Sequence, residues 1–321
     1  MSNIGSEWDF YLQAFRLHQG LSRDGNDEAR NLLRGAVAQS IANGSRFGRA
    51  FGLLSFTIQN SWLCNWIDAK NVGGILKEAA SDIEKADEKF SLSLARSTIG
   101  LVNEKDEVDN IVKAIILAYA QAAHGLDNDD FDNQWSLATA SLYSDPENNN
   151  AVEQYRKLRG IAKPLPMPDV TRFSIDVDYA DALFFAGDSP NSYVVAINEA
   201  ITVAEAAVAA NLFDKKRQRW HWTLGWAYYE RSHYSQNRVP DCEEALKHLE
   251  TFKWPHDLIR KNLIAAYVGA GKMAQAYKVA GEFMSNNDGY TVAVEERWPY
   301  RDDARRKKWQ ADLVAGGLPS P

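Results

Sequence analysis

Apolar residues recur three or four positions apart along most of the chain, which is the spacing of amphipathic helices. Runs that alternate apolar and polar residues, as half-buried strands do, are hard to find. Clusters of Gly, Asn, Asp and Pro interrupt the helical spacing at turns such as 22–25, 43–45 and 145–148. The intervals between such clusters predict helices of about 12 to 20 residues, an ordinary length for globular proteins. The pattern therefore predicts an all-α fold.

Two consecutive segments in the last third of the chain repeat one pattern of small and large residues. The first, 221–255, carries Leu224, Gly225 and Tyr228 in one predicted helix and Ala245, Leu249 and Phe252 in the next. The second repeats the pattern with Leu263, Tyr267, Gly271, Ala276, Ala280 and Phe283. This spacing is typical of the tetratricopeptide repeat (TPR), a hairpin of two helices. Its small residues allow the two helices to approach closely, and its large residues fill the space between neighbouring hairpins.

Weaker versions of the second-helix pattern occur earlier, at Ala29/Leu33/Ala36, Ala79/Ile83/Ala86, Ala151/Tyr155/Leu158 and Ala196/Ala200/Val203. A single hairpin cannot bury its apolar face alone, so repeated hairpins are expected to stack into a continuous core. We therefore predict a right-handed superhelical solenoid of about six to seven degenerate TPR hairpins. A plain helical bundle is the alternative, since it also places small residues at such positions by chance.

A proline-rich stretch divides the predicted repeats into two sets. Residues 162–168 contain three prolines, which cannot continue a helix and favour an extended chain. The predicted organisation is N-terminal degenerate hairpins over 1–161, this crossing, and C-terminal hairpins with a capping helix over 169–321. A single continuous solenoid that runs through both sets is the alternative.

Short motifs beyond the last hairpin carry a family resemblance. They are Asn287-Asp288-Gly289-Tyr290-Thr291, Arg297-Trp298-Pro299-Tyr300-Arg301-Asp302 and Ala315-Gly316-Gly317-Leu318-Pro319. This ending resembles that of the TPR regions attached to proteobacterial class III adenylate or guanylate cyclases and to some winged-helix transcriptional regulators, and the resemblance covers about residues 8–319. In those proteins a catalytic or DNA-binding domain precedes the repeats. Nothing in this sequence resembles either domain, so the resemblance implies a stand-alone relative or an excised regulatory region, and the family's catalysis cannot be carried over.

Composition and charge exclude several classes of function. Hydrophobic residues make up 45% and charged residues 25% of the chain, as in ordinary folded proteins. The net charge of −7 argues against direct nucleic-acid binding. A solvated helix face is predicted for a basic cluster of the chain, which comprises Arg301, Arg305, Arg306, Lys307 and Lys308.

Cysteine usage and the absence of hydrophobic spans indicate a compartment. The only two cysteines, Cys64 and Cys242, lack the spacing of a disulfide framework or a zinc site. The first ten residues lack the features of a secretion signal. The longest apolar stretch, around 111–123, is interrupted by polar residues and too short to cross a bilayer. We therefore expect a cytoplasmic protein without a membrane span.

Motifs for enzymatic chemistry fail on inspection. Residues 268–273 hint at a phosphate-binding loop but lack its first glycine and the Ser or Thr after lysine. The six histidines do not occur three or four residues apart, the spacing that would place two metal ligands on one helix face. We therefore expect no enzyme activity, cofactor or metal. A metal site would have to be assembled from residues distant in sequence.

Aromatic residues in the predicted first helices suggest a binding groove. If Leu224 and Gly225 fix the register of their hairpin, one face of each first helix lines the concave side of the stack. The residues predicted on that face are Trp135, Tyr143, Asp181, Phe184, Phe185, Arg219, Trp222, Trp226, Tyr229 and Glu230. Aromatic rings with Arg are the usual anchors of protein interfaces, so the prediction is a groove that binds a peptide or helix. The alternative is that these rings fill the core.

The resulting functional prediction is a non-enzymatic regulatory module that binds a protein or peptide. A second hypothesis is a regulatory segment whose role is self-association into a homodimer, as cyclase catalysis requires. A third is a helical enzyme with a metal site assembled from distant residues.

Overall fold

The structure is a computed structural model that describes residues 4–18, 22–144, 150–162, 169–186, 190–210, 217–252 and 257–320. These ranges contain fifteen α-helices, one short 3₁₀ helix and no strand, which confirms the predicted all-α class. Internal contacts divide the chain into two compact units, residues 1–145 and 146–321. The division falls before the predicted proline-rich crossing, most of which, 163–168, lies outside the described residues.

The described residues of unit 1, which spans residues 1–145, form seven helices. They are α1 (Ile4–His18), α2 (Arg23–Asn43), α3 (Gly48–Leu63), α4 (Val72–Phe90), α5 (Ser93–Ile99), α6 (Val108–Leu126) and α7 (Phe131–Ser144). Two of the predicted turns bound α2. The Ser22 hydroxyl accepts a hydrogen bond from the Gly25 amide at its start, and Gly44 ends it with a φ of 68°, a conformation that favours glycine.

Helix α3 forms the centre of unit 1. Its sequence is apolar on nearly every side, and thirteen of its sixteen residues are buried. A helix without a polar face must be covered all round, and α1, α2, α6 and α7 all pack against it. In the described part of unit 1, α3 packs extensively against α6 but not against α4, its neighbour in sequence. This arrangement differs from a regular row of hairpins.

Unit 2, residues 146–321, contains the remaining elements. They are α8 (Asn150–Ala162), α9 (Asp169–Ala186), α10 (Pro190–Ala210), α11 (Arg217–Ser232), α12 (Arg238–Leu249), α13 (Asp257–Gly269), α14 (Met273–Met284), the 3₁₀ helix Val292–Arg297 and α15 (Asp303–Ala315). From α8 to α14 each helix packs against the next one in sequence. In addition, α11 packs against both α9 and α13, so these three helices form one row.

A close approach between α11 and α12 depends on a glycine. A Cβ atom placed on Gly225 would lie 2.7 Å from Cγ of Leu249 and 3.1 Å from the carbonyl oxygen of Ala245. Both neighbours are fully buried, so neither has space to move away. The small residue predicted at this position is therefore required by the packing of the two helices.

Gly225→Ala is expected to lower the free energy of unfolding by about 1 to 3 kcal/mol, because the added methyl group overpacks the contact with α12. The matched control is Gly281→Ala in α14, where the new Cβ would meet no atom within 4 Å. There the better helix propensity of alanine should raise stability by roughly 0.5 to 1 kcal/mol. Urea denaturation of the two variants gives the comparison, and equal effects would contradict the close approach.

Candidate functional site

The structure places the residues predicted for the groove in both units. Trp135 and Tyr143 lie on α7 of unit 1, and the others lie on α9 and α11 of unit 2. Trp135 is half-buried and packs edge-on against Phe56, with 5.7 Å between ring centroids. Tyr143 is buried. The residues that can be described as one site are therefore those of unit 2.

Five of the unit 2 residues lie in the protein core. Phe184, Phe185, Trp226, Tyr229 and Glu230 are each at most 2% exposed. Such residues do not line an open groove, so this part of the prediction differs from the structure.

The other predicted unit 2 residues are less deeply placed. Asp181 on α9 and Trp222 on α11 are half-buried. The Trp222 indole nitrogen donates a hydrogen bond of 3.0 Å to Oδ1 of Asn262 on α13. Arg219 lies in α11, but its side chain is outside the described part of the structure. Trp222 is therefore the aromatic residue of the predicted unit 2 set that retains an accessible surface.

The C-terminal segment of the same chain covers the five core residues. We use this name for residues 290–318, which include the 3₁₀ helix and α15. The Trp226 ring lies 4.5 Å from Trp298 and 5.6 Å from Trp309, and the Phe185 ring lies 5.0 Å from Tyr300. The backbone amide of Arg301 also donates a hydrogen bond of 3.2 Å to the carbonyl oxygen of Phe185. The predicted partner surface is thus occupied in cis.

A buried ion pair joins α11 to α15 beneath these rings. Nη2 of Arg305 donates a hydrogen bond of 2.9 Å to Oε2 of Glu230, and the two side chains are 1% and 0% exposed. The hydroxyl of Tyr300 and the indole nitrogen of Trp226 both donate to Oε1 of the same carboxylate. Arg305 also donates to the carbonyl oxygen of Phe184. Because a buried charge is tolerated only when it is paired and hydrogen-bonded, these contacts belong to one network.

A second buried ion pair joins α13 to the 3₁₀ helix. Nζ of Lys261 donates hydrogen bonds of 2.7 and 2.8 Å to the two carboxylate oxygens of Glu295. Their side chains are 4% and 0% exposed. The Trp298 indole nitrogen donates a hydrogen bond of 2.8 Å to Oε2 of Glu295, and the Tyr290 hydroxyl donates one to Oε1. Paired charges therefore tie two helices of the row to the C-terminal segment. They are α11, the middle helix, and α13, at one end.

Arg305 corrects the prediction made for the basic cluster. Lys307 and Lys308 are exposed and Arg301 and Arg306 are intermediate, but Arg305 is buried. Burial, the largest single influence, would lower the pKa of Arg305, but the charge and hydrogen bond of Glu230 together with the nearby Tyr300 and Tyr234 outweigh it, and the pKa is raised. Arg305 is therefore a fully charged core residue and not part of a solvated face.

The buried tyrosines of this region titrate abnormally. Burial, with the nearby Glu230 carboxylate, raises the pKa of Tyr300 well above its ordinary value. Burial and the carboxylate of Asp312, to which its hydroxyl donates, raise the pKa of Tyr229 in the same way. Both phenols therefore stay protonated in the folded chain at pH values where exposed tyrosines ionise.

Stability is expected to fall in alkali. Below the ordinary tyrosine pKa of about 10 the folded and unfolded states both keep their phenolic protons, so these groups do not make the free energy of unfolding depend on pH. Above it the unfolded chain releases protons that the folded chain holds, so each such tyrosine lowers stability by up to about 1.4 kcal/mol per pH unit. Urea denaturation across this range measures the slope. Tyr229→Phe should make this slope shallower by up to about 1.4 kcal/mol per pH unit, the contribution of one proton. An unchanged slope would contradict the assignment.

Comparison with known proteins adds no candidate activity. No protein-family model matches the chain, and no curated protein matches it. Within the described ranges, no group of three or more His, Cys, Asp or Glu side chains is arranged to hold a metal ion. None of the helices in those ranges has the length and apolar character needed to cross a bilayer.

Proposed function

We propose that the chain is a non-enzymatic module that binds a polypeptide through TPR-like hairpins of unit 2. The hairpins are α9/α10, α11/α12 and α13/α14, with α9, α11 and α13 as the first helices. In a TPR stack the first helices lie side by side and form the inner face. The contacts of α11 with both α9 and α13 support this assignment. The close packing of Gly225 against Ala245 and Leu249 supports the TPR pattern within one hairpin.

A single observation supports the binding proposal: residues of the same chain cover the proposed inner face. Residues 298–302 run past α9 and α11 and supply a backbone hydrogen bond to Phe185 and aromatic contacts to Trp226. Protein interfaces combine the same elements, namely buried aromatic anchors and satisfied backbone groups. The chemistry of the face is therefore suited to an extended chain, and the C-terminal segment is its resident occupant.

The accessible part of this face lies beside the resident segment, at Trp222. Its ring is 6.4 Å from that of Trp298 and 5.8 Å from that of Trp226, so it continues the buried aromatic cluster towards the surface. A half-buried tryptophan on a rigid helix gives a partner a large contact area at little entropic cost. We propose that a partner polypeptide packs on Trp222 and along the C-terminal segment.

Site-specific photo-crosslinking tests this proposal. A photoreactive phenylalanine analogue replaces Trp222 in one variant and Tyr277 in the matched control, since Tyr277 is a 55% exposed aromatic residue on α14. Illumination in cells of the source organism is expected to give an adduct with a second polypeptide from position 222 and little or none from position 277. Excess unlabelled protein should compete for the same adduct.

Two results would contradict the proposal. The first is the same set of adducts from both positions, which indicates random collision. The second is a folded variant at position 222 that gives no adduct under conditions where a known crosslinking protein does. An adduct whose mass is that of two copies of this chain would instead favour self-association.

A further inference from the structure

A pocket of about 260 Å³ opens on unit 1, between the start of α2, the turn that follows α3, and the start of α4. Its lining includes Asp27 and Arg30 from α2, Trp66 from the turn, and Gly74, Ile75 and Glu78 from α4. Pockets for whole small molecules usually span about 300 to 1,000 Å³, so this one is suited to a single side chain or a group of that size.

The turn that carries Trp66 is fixed by hydrogen bonds. The Trp66 amide donates to the carbonyl oxygen of Ser61 at 2.7 Å, and the Asn71 side-chain amide donates to the carbonyl oxygen of Trp66 at 3.1 Å. The Asp68 carboxylate accepts a hydrogen bond of 3.1 Å from the backbone amide of Asn71. The backbone that carries the indole is therefore fixed before any ligand arrives, which reduces the entropic cost of binding.

The accessible charge of the pocket is negative. The side chains of Asp27 and Glu78 are 47% and 39% exposed, whereas that of Arg30 is only 18% exposed. Asp27 pairs with Arg30 at 3.4 Å and Glu78 pairs with Arg34 at 3.3 Å, so each carboxylate is held in position but keeps oxygen surface open to water. Among the charged residues of the lining, two carboxylates stand against one guanidinium, and this excess of one negative charge favours a cation over an anion.

We propose that this pocket binds a cation carried on an aliphatic stem, as in the side chain of a lysine or arginine residue of a polypeptide. Trp66 and Ile75 contact the methylene groups of the stem, and the charged head lies between Asp27 and Glu78. The indole face adds a cation–π contribution that neither carboxylate supplies. The long stem of a basic side chain allows it to contact apolar walls and charged rim together. This site lies in unit 1 and does not depend on the function proposed for unit 2.

NMR titration of the full-length protein tests the proposal. The reporter is the indole cross-peak of Trp66, identified as the one that Trp66→Phe removes. The probes are N-acetyl-arginine methylamide, its neutral isostere N-acetyl-citrulline methylamide, and N-acetyl-glutamate methylamide as the anion. A saturable shift with the arginine probe and none with the other two is expected. A glutamate response, or equal responses to arginine and citrulline, would overturn the proposal.

Two variants locate the binding. Glu78→Gln is expected to weaken the arginine probe by about fivefold, the size of one exposed ion pair. Gly74→Leu adds a large side chain to the lining and should abolish binding, and a Cβ at Gly74 meets no atom within 4 Å. Gly281→Leu is the matched control, because Gly281 has equally open surroundings in unit 2. Unchanged binding in Gly74→Leu would overturn the assignment of the pocket.

Free arginine distinguishes the two sources of the cation. If the ligand is a side chain within a polypeptide, the blocked derivative binds at least as well as free arginine, because the pocket contacts the stem and head alone. Much tighter binding of free arginine would overturn the polypeptide source. Neither result bears on crosslinking from position 222, so failure here and failure of the proposed function are separate outcomes.

Discussion

Glu230→Gln is expected to lower the free energy of unfolding by about 3 to 5 kcal/mol, because it removes one charge from a fully buried ion pair and leaves the other. The amide keeps nearly the same volume, so no cavity forms. The remaining guanidinium of Arg305 is 1% exposed, so bulk solvent does not stabilise its charge. The hydroxyl of Tyr300, which donates to the same carboxylate, loses a charged acceptor as well.

The matched control is Glu244→Gln on α12. Glu244 pairs with Lys247 in an i, i+3 contact, but the two side chains are 40% and 66% exposed. Exposed pairs of this kind contribute about 0.2 to 1 kcal/mol or less. Urea denaturation followed by tryptophan fluorescence gives both values. A loss from Glu230→Gln no larger than the control would show that the Arg305 pair is solvated and that the C-terminal segment does not cover it.

Trp226→Ala, as a separate single substitution, is expected to lower the free energy of unfolding by about 3 to 5 kcal/mol. The ring is 2% exposed and lies within 6 Å of Phe184, Phe185, Trp298 and Trp309. Removing it leaves a cavity among four rigid rings, which cannot collapse without moving both α9 and the C-terminal segment. The carboxylate of Glu230 also loses one of its donors.

Tyr277→Ala provides the comparison for Trp226→Ala. It also removes an aromatic ring from a helix of unit 2, but that ring is 55% exposed. Surface substitutions of this kind usually change stability by about 0.5 kcal/mol or less. Thermal or urea unfolding of both variants measures the difference. Similar small effects would contradict the buried position of Trp226.

The position of Trp226 decides how binding experiments are interpreted. Trp222 and Trp226 are four residues apart on α11 and share one helix face, so the sequence gives them the same role. In the structure only Trp222 has an accessible surface. Loss of a partner in a Trp226 variant would therefore report unfolding, whereas loss in a Trp222 variant reports the surface.

The neighbouring helices of unit 2 could be predicted because their sequence pattern is local. Leu224, Gly225 and Ala245 specify a close pair of helices within 25 residues of one another, and the structure forms α11 and α12 there. Gly271, predicted to end a helix, adopts a φ of 72° between α13 and α14. Signals of this kind depend on backbone conformation and side-chain size alone.

The burial of the predicted groove could not be deduced from periodicity. The 3.6-residue repeat identifies one face of α11, but it does not identify what covers that face. The covering residue Arg305 follows Glu230 by 75 positions, and its neighbours Arg306 to Lys308 have the composition of a solvated helix face. One signal was present: Trp298 and Tyr300 form an aromatic pair around a proline, which is unusual for a solvated segment. Its buried partner was not identifiable from one sequence.

Unit 1 shows a different limit of the repeat pattern. The second-helix residues Ala79, Ile83 and Ala86 are all buried on α4, as expected for a TPR hairpin. The preceding helix α3 nevertheless packs mainly against α6, because its polar residues are too few to form a solvated face. The apolar composition of α3, GRAFGLLSFTIQNSWL, was visible in the sequence and favours a central helix over an outer hairpin.

Native-state hydrogen exchange tests most directly whether the C-terminal segment is a permanent part of unit 2. The amide of Arg301, bonded to Phe185, and the amides of α15 are the reporters. Two buried ion pairs join the segment to α11 and α13, so we predict that these amides exchange only through the same opening as the core amides of α11. Exchange of the segment through a much lower-energy opening, while α11 stays protected, would contradict the account and restore the aromatic face as an open groove.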